Sequence, residues 1–188
     1  IKFISVLIAA LSVFSFKTSA LSDTSASSVL INADTLEIIY SNKPYVKRSM
    51  ASTTKIMTAL LVMDAISSGK IALDTPVVVS PTALAGIPND ASHMRPRLKA
   101  GDVMNVLGLL QAVMMVSDCH ACNVLAETVA GSVDNFVVMM NARAAALGCT
   151  ETNFVNTSGY PEANHYSNAY SLFLITKEAM KYPLFESI

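Results

Sequence analysis

Ala51-Ser52-Thr53-Thr54-Lys55 places a serine and a lysine three residues apart, where a polar segment gives way to an apolar-periodic one. On a helix, residues i and i+3 share a face, so the Lys55 amine can reach the Ser52 hydroxyl. An unprotonated amine there accepts the hydroxyl proton and makes a nucleophile of an ordinary alcohol. The first helical turn also carries unpaired backbone N–H groups and the positive end of the dipole, which suit an oxyanion formed at Ser52. The competing reading is a helix N-cap at Ser52 with a solvated lysine. A Ser-x-x-Lys match alone does not decide between them, and the surrounding sequence has to.

Working outward, Ile56, Ala59, Leu60, Met63 and Ile66 recur at helical spacing, so residues 51–67 read as an amphipathic helix stopped by Gly69. Upstream, two β-rich runs at 28–32 and 36–40 across Ala33-Asp34-Thr35 read as a hairpin, joined to the helix by a polar, proline-containing connection. Downstream, Pro76, Pro81, Pro88 and Pro96 leave 71–101 largely irregular, with Val77-Val78-Val79 as a short strand. Residues 103–116 are apolar almost all round and read as a helix buried on every side. After Ser117-Asp118-Cys119-His120-Ala121-Cys122-Asn123 a second helix runs to Ala130 and stops at Gly131. Ser132 caps a third, which stops at Gly148. Residues 150–168 read as loop, and 169–181 as a last amphipathic helix halted by Pro183.

Residues 1–20 read as a secretory signal, with Lys2 as the positive n-region, an apolar stretch over 3–16 and Thr18-Ser19-Ala20 as the cleavage site. Residues 21–27 are small and polar, as in a flexible mature N-terminus, and 28–188 form the body. The first residue is Ile1, so the true N-terminus is expected to lie further upstream. A formal net charge of -1 gives no electrostatic case for nucleic acid. Cys119, Cys122 and Cys149 are too few for a disulfide scaffold, and an odd count leaves a thiol unpaired.

Ser117 stands at the junction of two helices, where a hydroxyl entering a cleft could relay a proton to a leaving amine. An N-cap role at the same position is compatible with that. Ser52-Thr53-Thr54-Lys55, followed by Val116-Ser117-x-x-x-Ala121-Cys122 and Leu125-Ala126-Glu127-x-x-Ala130-Gly131, resembles the D-alanyl-D-alanine carboxypeptidases. These are the low-molecular-mass penicillin-binding proteins, serine peptidases that trim peptidoglycan. The likeness continues through Leu98-Lys99-Ala100-Gly101-Asp102, Ala146-Leu147-Gly148, Asn153-Phe154-x-Asn156-x-x-Gly159 and His165-x-Ser167-x-Ala169-Tyr170. It implies an α+β fold of the penicillin-binding/β-lactamase-like transpeptidase kind, an antiparallel sheet packed by helices with a mostly helical subdomain. It implies Ser52 as acylated nucleophile, Lys55 as general base and Ser117 as proton relay. The implied substrate is a peptidoglycan stem peptide ending in D-Ala-D-Ala, with β-lactams acylating the same serine. The protein would be exported, to the periplasm or the outer face of the cytoplasmic membrane. No cofactor is implied.

Several positions depart from the family pattern. Cys119 stands where the second motif, usually Ser-x-Asn, has its asparagine, and a thiol cannot donate and accept as an amide does. Altered or lowered activity is expected rather than loss. His120 replaces a usual aspartate, and Asn168 and Ser171 stand where threonine and aspartate are common, which is expected to loosen support around the cleft. No Lys-Thr-Gly or Lys-Ser-Gly occurs, so the third motif and its strand are expected beyond Ile188, along with any C-terminal membrane anchor. The sheet is then incomplete, and residues 1–188 alone are expected to show no turnover.

Two alternatives remain open on the residues. A class A β-lactamase shares Ser-x-x-Lys and the Ser117-Asp118 wording, but its E-x-x-L-N segment has only Glu151-Thr152-Asn153-Phe154-Val155 as a counterpart, without the leucine and asparagine. A non-catalytic cell-wall-binding paralogue would explain Cys119 as decay. Cys119-x-x-Cys122 as a redox pair lacks a preceding strand. A zinc site of Cys119, Cys122 and His120 fails because adjacent helical residues cannot all face one ion, so no metal is expected. Cys122, Cys149 and methionines such as Met57, Met63, Met104, Met114, Met139 and Met140 read as core, and His93 and His165 as loop or cap groups.

Overall fold

The computed structural model describes residues 23–188, so the segment read as a secretory signal lies outside the described residues. The hairpin forms from β1 (Ser28–Ile31) and β2 (Ile38–Asn42), antiparallel, with Leu30 opposite Tyr40 and an irregularity between Leu30 and Ile31. Its turn is fixed by Asn32, whose Oδ1 accepts from the backbone N–H groups of Asp34 and Thr35. The second strand lies two residues later than the run of apolar residues suggests, because Leu36 takes a left-handed conformation and serves the turn.

A single 3₁₀ turn, Ala51–Thr53, opens α1 (Thr54–Ser67), which Gly69 follows at φ +73°. Far from presenting one face, α1 runs through the middle of the molecule against α3, α4, α5 and α6 and is buried from Thr54 to Ala65 almost without interruption. The polar residues on it survive burial because each has a partner. Thr58, for example, donates to the Thr157 carbonyl at 2.6 Å.

Residues 103–116 are not one helix. β4 (Val103–Asn105) pairs antiparallel with β3 (Pro76–Val78), and α3 (Val106–Val116) begins only after the Asn105 side chain accepts from the Gly108 N–H. Nor is α3 enclosed all round, since Gln111, Met115 and Val116 face solvent. Between the strands, α2 (Pro81–Leu84) is a short helix capped by Ser80 within the proline-rich stretch. α4 (Cys119–Ala130) and α5 (Val133–Ala146) follow, capped by Asp118 and Ser132.

Asn168 caps α6 (Ala169–Ala179) by accepting from the Ser171 N–H at 2.8 Å. The departure at Asn168 therefore leaves a well-capped helix, asparagine being among the strongest N-cap residues. Pro183 does not terminate this helix but opens a short one, α7 (Pro183–Ser187), where a missing N–H costs nothing. Arg143 on α5 binds Asp64 on α1 at 3.0 Å and Glu178 on α6 at 2.9 Å, clamping three helices from one side. Among the described residues, no helix is long and apolar enough to cross a membrane.

Candidate active site

The 3₁₀ turn places Ser52 at the surface of a cavity of about 220 Å³, bounded by Lys55, residues 90–92, Cys119 and the turn at 158–161. Ala51, just before Ser52, has φ +46°, and Ser117 has φ +60°. Left-handed backbone at non-glycine residues costs about 1–3 kcal/mol each, and both instances lie beside the cavity. Such strain persists only where surrounding structure enforces it. Gly159 makes room for the Ala51 turn, for a Cβ on it would lie 1.8 Å from the Ala51 carbonyl oxygen.

Ser52, Lys55 and Ser117 come together. The Ser117 hydroxyl donates to Ser52 Oγ at 2.9 Å, and Lys55 Nζ lies 3.3 Å from the same oxygen. Ser52 caps no helix, and Ser117 is not an N-cap either. Ser117 closes α3, while Asp118 caps α4 through an Oδ1 that accepts from the Ala121 N–H at 2.7 Å. Ser52 Oγ joins the Ser117 hydroxyl to the Lys55 amine, so the two hydroxyls and the amine form a line, while Cys119 Sγ touches the amine and the Ser117 carbonyl more weakly, at 3.8 Å each.

Lys55 is 3% exposed, and its strongest tie is to the carbonyl oxygen of Ser158, at 2.6 Å. That carbonyl is aimed by Asn156, whose Oδ1 accepts from the N–H groups of Ser158 and Gly159 and whose Nδ2 donates to the Tyr160 carbonyl. Cys119 Sγ lies 3.8 Å from Lys55 Nζ, a weak contact. Cys122 is fully buried and donates to the Asp118 carbonyl, and burial pushes its thiol well above the ordinary range. A buried, protonated Cys122 does not suit a redox pair, and all three cysteines are unpaired.

Two features of the site carried no readable role in the sequence. The first is the Ser158 carbonyl, a backbone group that any residue could offer; only the Asn-x-x-Gly spacing of Asn156 and Gly159 hinted at a turn. The second is His165, which lies on a loop as expected but is buried there and ties that loop to α1. The Val155 N–H donates to its Nδ1 at 3.1 Å, so the neutral ring carries its proton on Nε2 and donates it to Thr54 Oγ1 at 2.8 Å. Glu151, the residue nearest to a β-lactamase-type glutamate in sequence, pairs at the surface with Lys47 at 2.7 Å.

The fold is that of the penicillin-binding D,D-peptidases. Penicillin binding protein 6B from Escherichia coli superposes with a TM-score of 0.80 at 33% identity, over 85% of this chain and 51% of that one. The D-alanyl-D-alanine carboxypeptidase DacD from Francisella tularensis gives a TM-score of 0.77 at 30% identity, over 84% and 37%. Residues 15–188 match the family model described as D-alanyl-D-alanine carboxypeptidase, and the chain belongs to that family. The D-alanyl-D-alanine carboxypeptidase DacF of Bacillus subtilis (strain 168) is 36% identical over 166 residues, which cover 88% of this chain and 41% of DacF. DacC of Escherichia coli (strain K12) is 37% identical over 132 residues, 70% of this chain and 33% of DacC. The chain thus spans less than half the length of these curated relatives.

Proposed function

We propose that the protein is a serine-type D,D-carboxypeptidase that removes the terminal D-Ala from peptidoglycan stem peptides and is acylated by β-lactams. The line Ser117–Ser52–Lys55, with Ser52 Oγ held at 2.9 and 3.3 Å by its neighbours, carries this reading. Ser52 Oγ attacks the carbonyl carbon of the penultimate D-Ala, and its proton passes to the unprotonated Lys55 amine. Ser117 then conducts a proton to the D-Ala nitrogen as the C–N bond breaks, leaving an ester on Ser52. Water hydrolyses that ester, with Lys55 again taking the proton and the Ser52 hydroxyl restored. The secretory-type segment at 1–20 supports action outside the cytoplasm, in the periplasm or at the outer face of the membrane.

The reading is tested on the full-length protein with a fluorescent penicillin and with a peptide ending in D-Ala-D-Ala. Covalent labelling and D-Ala release that both vanish in Ser52→Ala are expected. Labelling without Ser52 dependence, or none at all, overturns the enzyme reading, and labelling that fades within seconds points to a β-lactamase.

A further inference from the structure

Next to the cleft, but outside the serine–lysine line, His93, Asp118 and His120 converge, each offering a donor atom within 4.8 Å of the other two. His93 comes from the loop after α2, and His120 from the first turn of α4. Their rings are tilted by 35° to one another, with centroids 4.3 Å apart. The Nδ1 atoms of both are buried without a hydrogen-bond partner, and His120 is only 8% exposed. Two orphaned buried imidazole nitrogens side by side are rare and costly unless something satisfies them.

The tautomer of His93 sharpens this. Its Nε2 faces the Pro88 carbonyl at 3.4 Å, an oxygen that can only accept, so Nε2 carries the proton and Nδ1 presents a lone pair. A ring that donates one N–H to a backbone carbonyl and points its bare nitrogen inward is the usual state of a metal-binding histidine. Asp118 adds a buried carboxylate, its oxygens already oriented by the N–H groups of Ala121 and Met94 at 2.7 and 2.5 Å, with lone pairs to spare.

We propose that His93, His120 and Asp118 form a site for a divalent transition-metal ion of the zinc class. Two imidazoles and one carboxylate are a donor set that such ions favour, and three protein ligands leave a fourth position for water. Tetrahedral donors stand roughly 3.4 Å apart, so donors that lie within 4.8 Å of one another draw together when the ion binds. Arg95 and Arg97 line the cavity beside His93, and Arg97 is engaged with the Asn89 carbonyl at 2.9 Å. The Cys119 N–H already donates to the Ser92 carbonyl at 2.9 Å, so an ion here joins the loop to α4 beside the residues that form the cleft wall. Sequence spacing could not show the site, because it needs His93 from a separate segment in place of the cysteines beside His120.

The test uses full-length protein stripped with a chelator and titrated calorimetrically with Zn²⁺ alone, then loaded with Co²⁺. One equivalent is expected to bind saturably, with affinity falling about tenfold or more in each of His93→Gln and His120→Gln. Visible cobalt bands without a thiolate charge-transfer band are expected. Absence of stoichiometric binding, binding that both variants retain, or a thiolate-to-cobalt band, which would place the ion on cysteine, overturns the proposal. If His120→Gln fails to fold, His93→Gln, on the loop, decides alone.

Discussion

Lys55 Nζ donates to the carbonyl oxygen of Ser158 at 2.6 Å, so the amine is positioned by a turn distant in sequence as much as by its own helix. One N–H is committed to that carbonyl, and the amine's approach to Ser52 Oγ at 3.3 Å is fixed by it. An arginine at this position could still donate to the carbonyl but, always protonated, could not accept a proton. Lys55→Arg should therefore fold while losing acylation by about 10²–10⁴-fold, the worth of a general base. The second-order rate of labelling by a fluorescent penicillin, beside a circular dichroism spectrum, measures both, and a near-normal rate would remove Lys55 from the proton path.

Gly159 separates steric demand from backbone strain. Its φ of +83° is shared in kind by Gly69 at +73°, but a Cβ at Gly69 meets nothing within 4 Å, whereas one at Gly159 meets the Ala51 carbonyl. Gly69→Ala should cost about 1 kcal/mol from its backbone angle alone. Gly159→Ala should cost about 2 kcal/mol or more and also slow acylation, because the turn carrying Ser52 must shift. Urea denaturation midpoints of the two full-length variants give the comparison, and equal losses would refute the steric argument.

What the sequence made legible was local. The Ser52–Lys55 pairing follows from a spacing of three on a helix, the hairpin from two β-rich runs around a turn, and the helix ends from glycines such as Gly69 and Gly131. What it hid was long-range. Val103–Asn105 has the alphabet of the helix that follows, and only pairing with Pro76–Val78 makes it a strand. Pro183 carries the same local signal whether it ends a helix or begins one. Ser117 was legible as a junction, but its left-handed backbone and the transfer of the capping role to Asp118 depend on how α3 meets α4. Ser158, His93 and His165 reach their partners only through the folded chain.

Cys119, which the family resemblance sets in place of the second motif's usual asparagine, makes only 3.8 Å Sγ contacts with Lys55 Nζ and the Ser117 carbonyl. An amide there could both donate and accept at normal distance. Cys119→Asn should raise kcat/KM on a D-Ala-D-Ala peptide by about fivefold to tenfold, the worth of one gained hydrogen bond. Steady-state D-Ala release decides it, and a fall in rate would mean that the site has adapted to the thiol.

His165 should give the fold a measurable dependence on pH. Its neutral ring donates from Nε2 to Thr54 and accepts the Val155 N–H at Nδ1, so a second proton has no place without breaking the Val155 bond. Burial lowers its pKa from the usual histidine range, with Glu162 opposing the shift only in part. In the unfolded chain the same ring titrates near about pH 6.5. Between the lowered folded value and the unfolded one, the unfolded state binds more protons, so stability rises with pH there. The contribution is complete above about pH 6.5 and is lost as pH falls, at no more than about 1.4 kcal/mol per unit for one group. His165→Gln should be less stable at neutral pH, having lost the paired bonds, yet show a shallower decline on acidification. Urea unfolding of both proteins between about pH 7 and pH 5 reads the two slopes, and parallel slopes would assign the acid sensitivity to other groups.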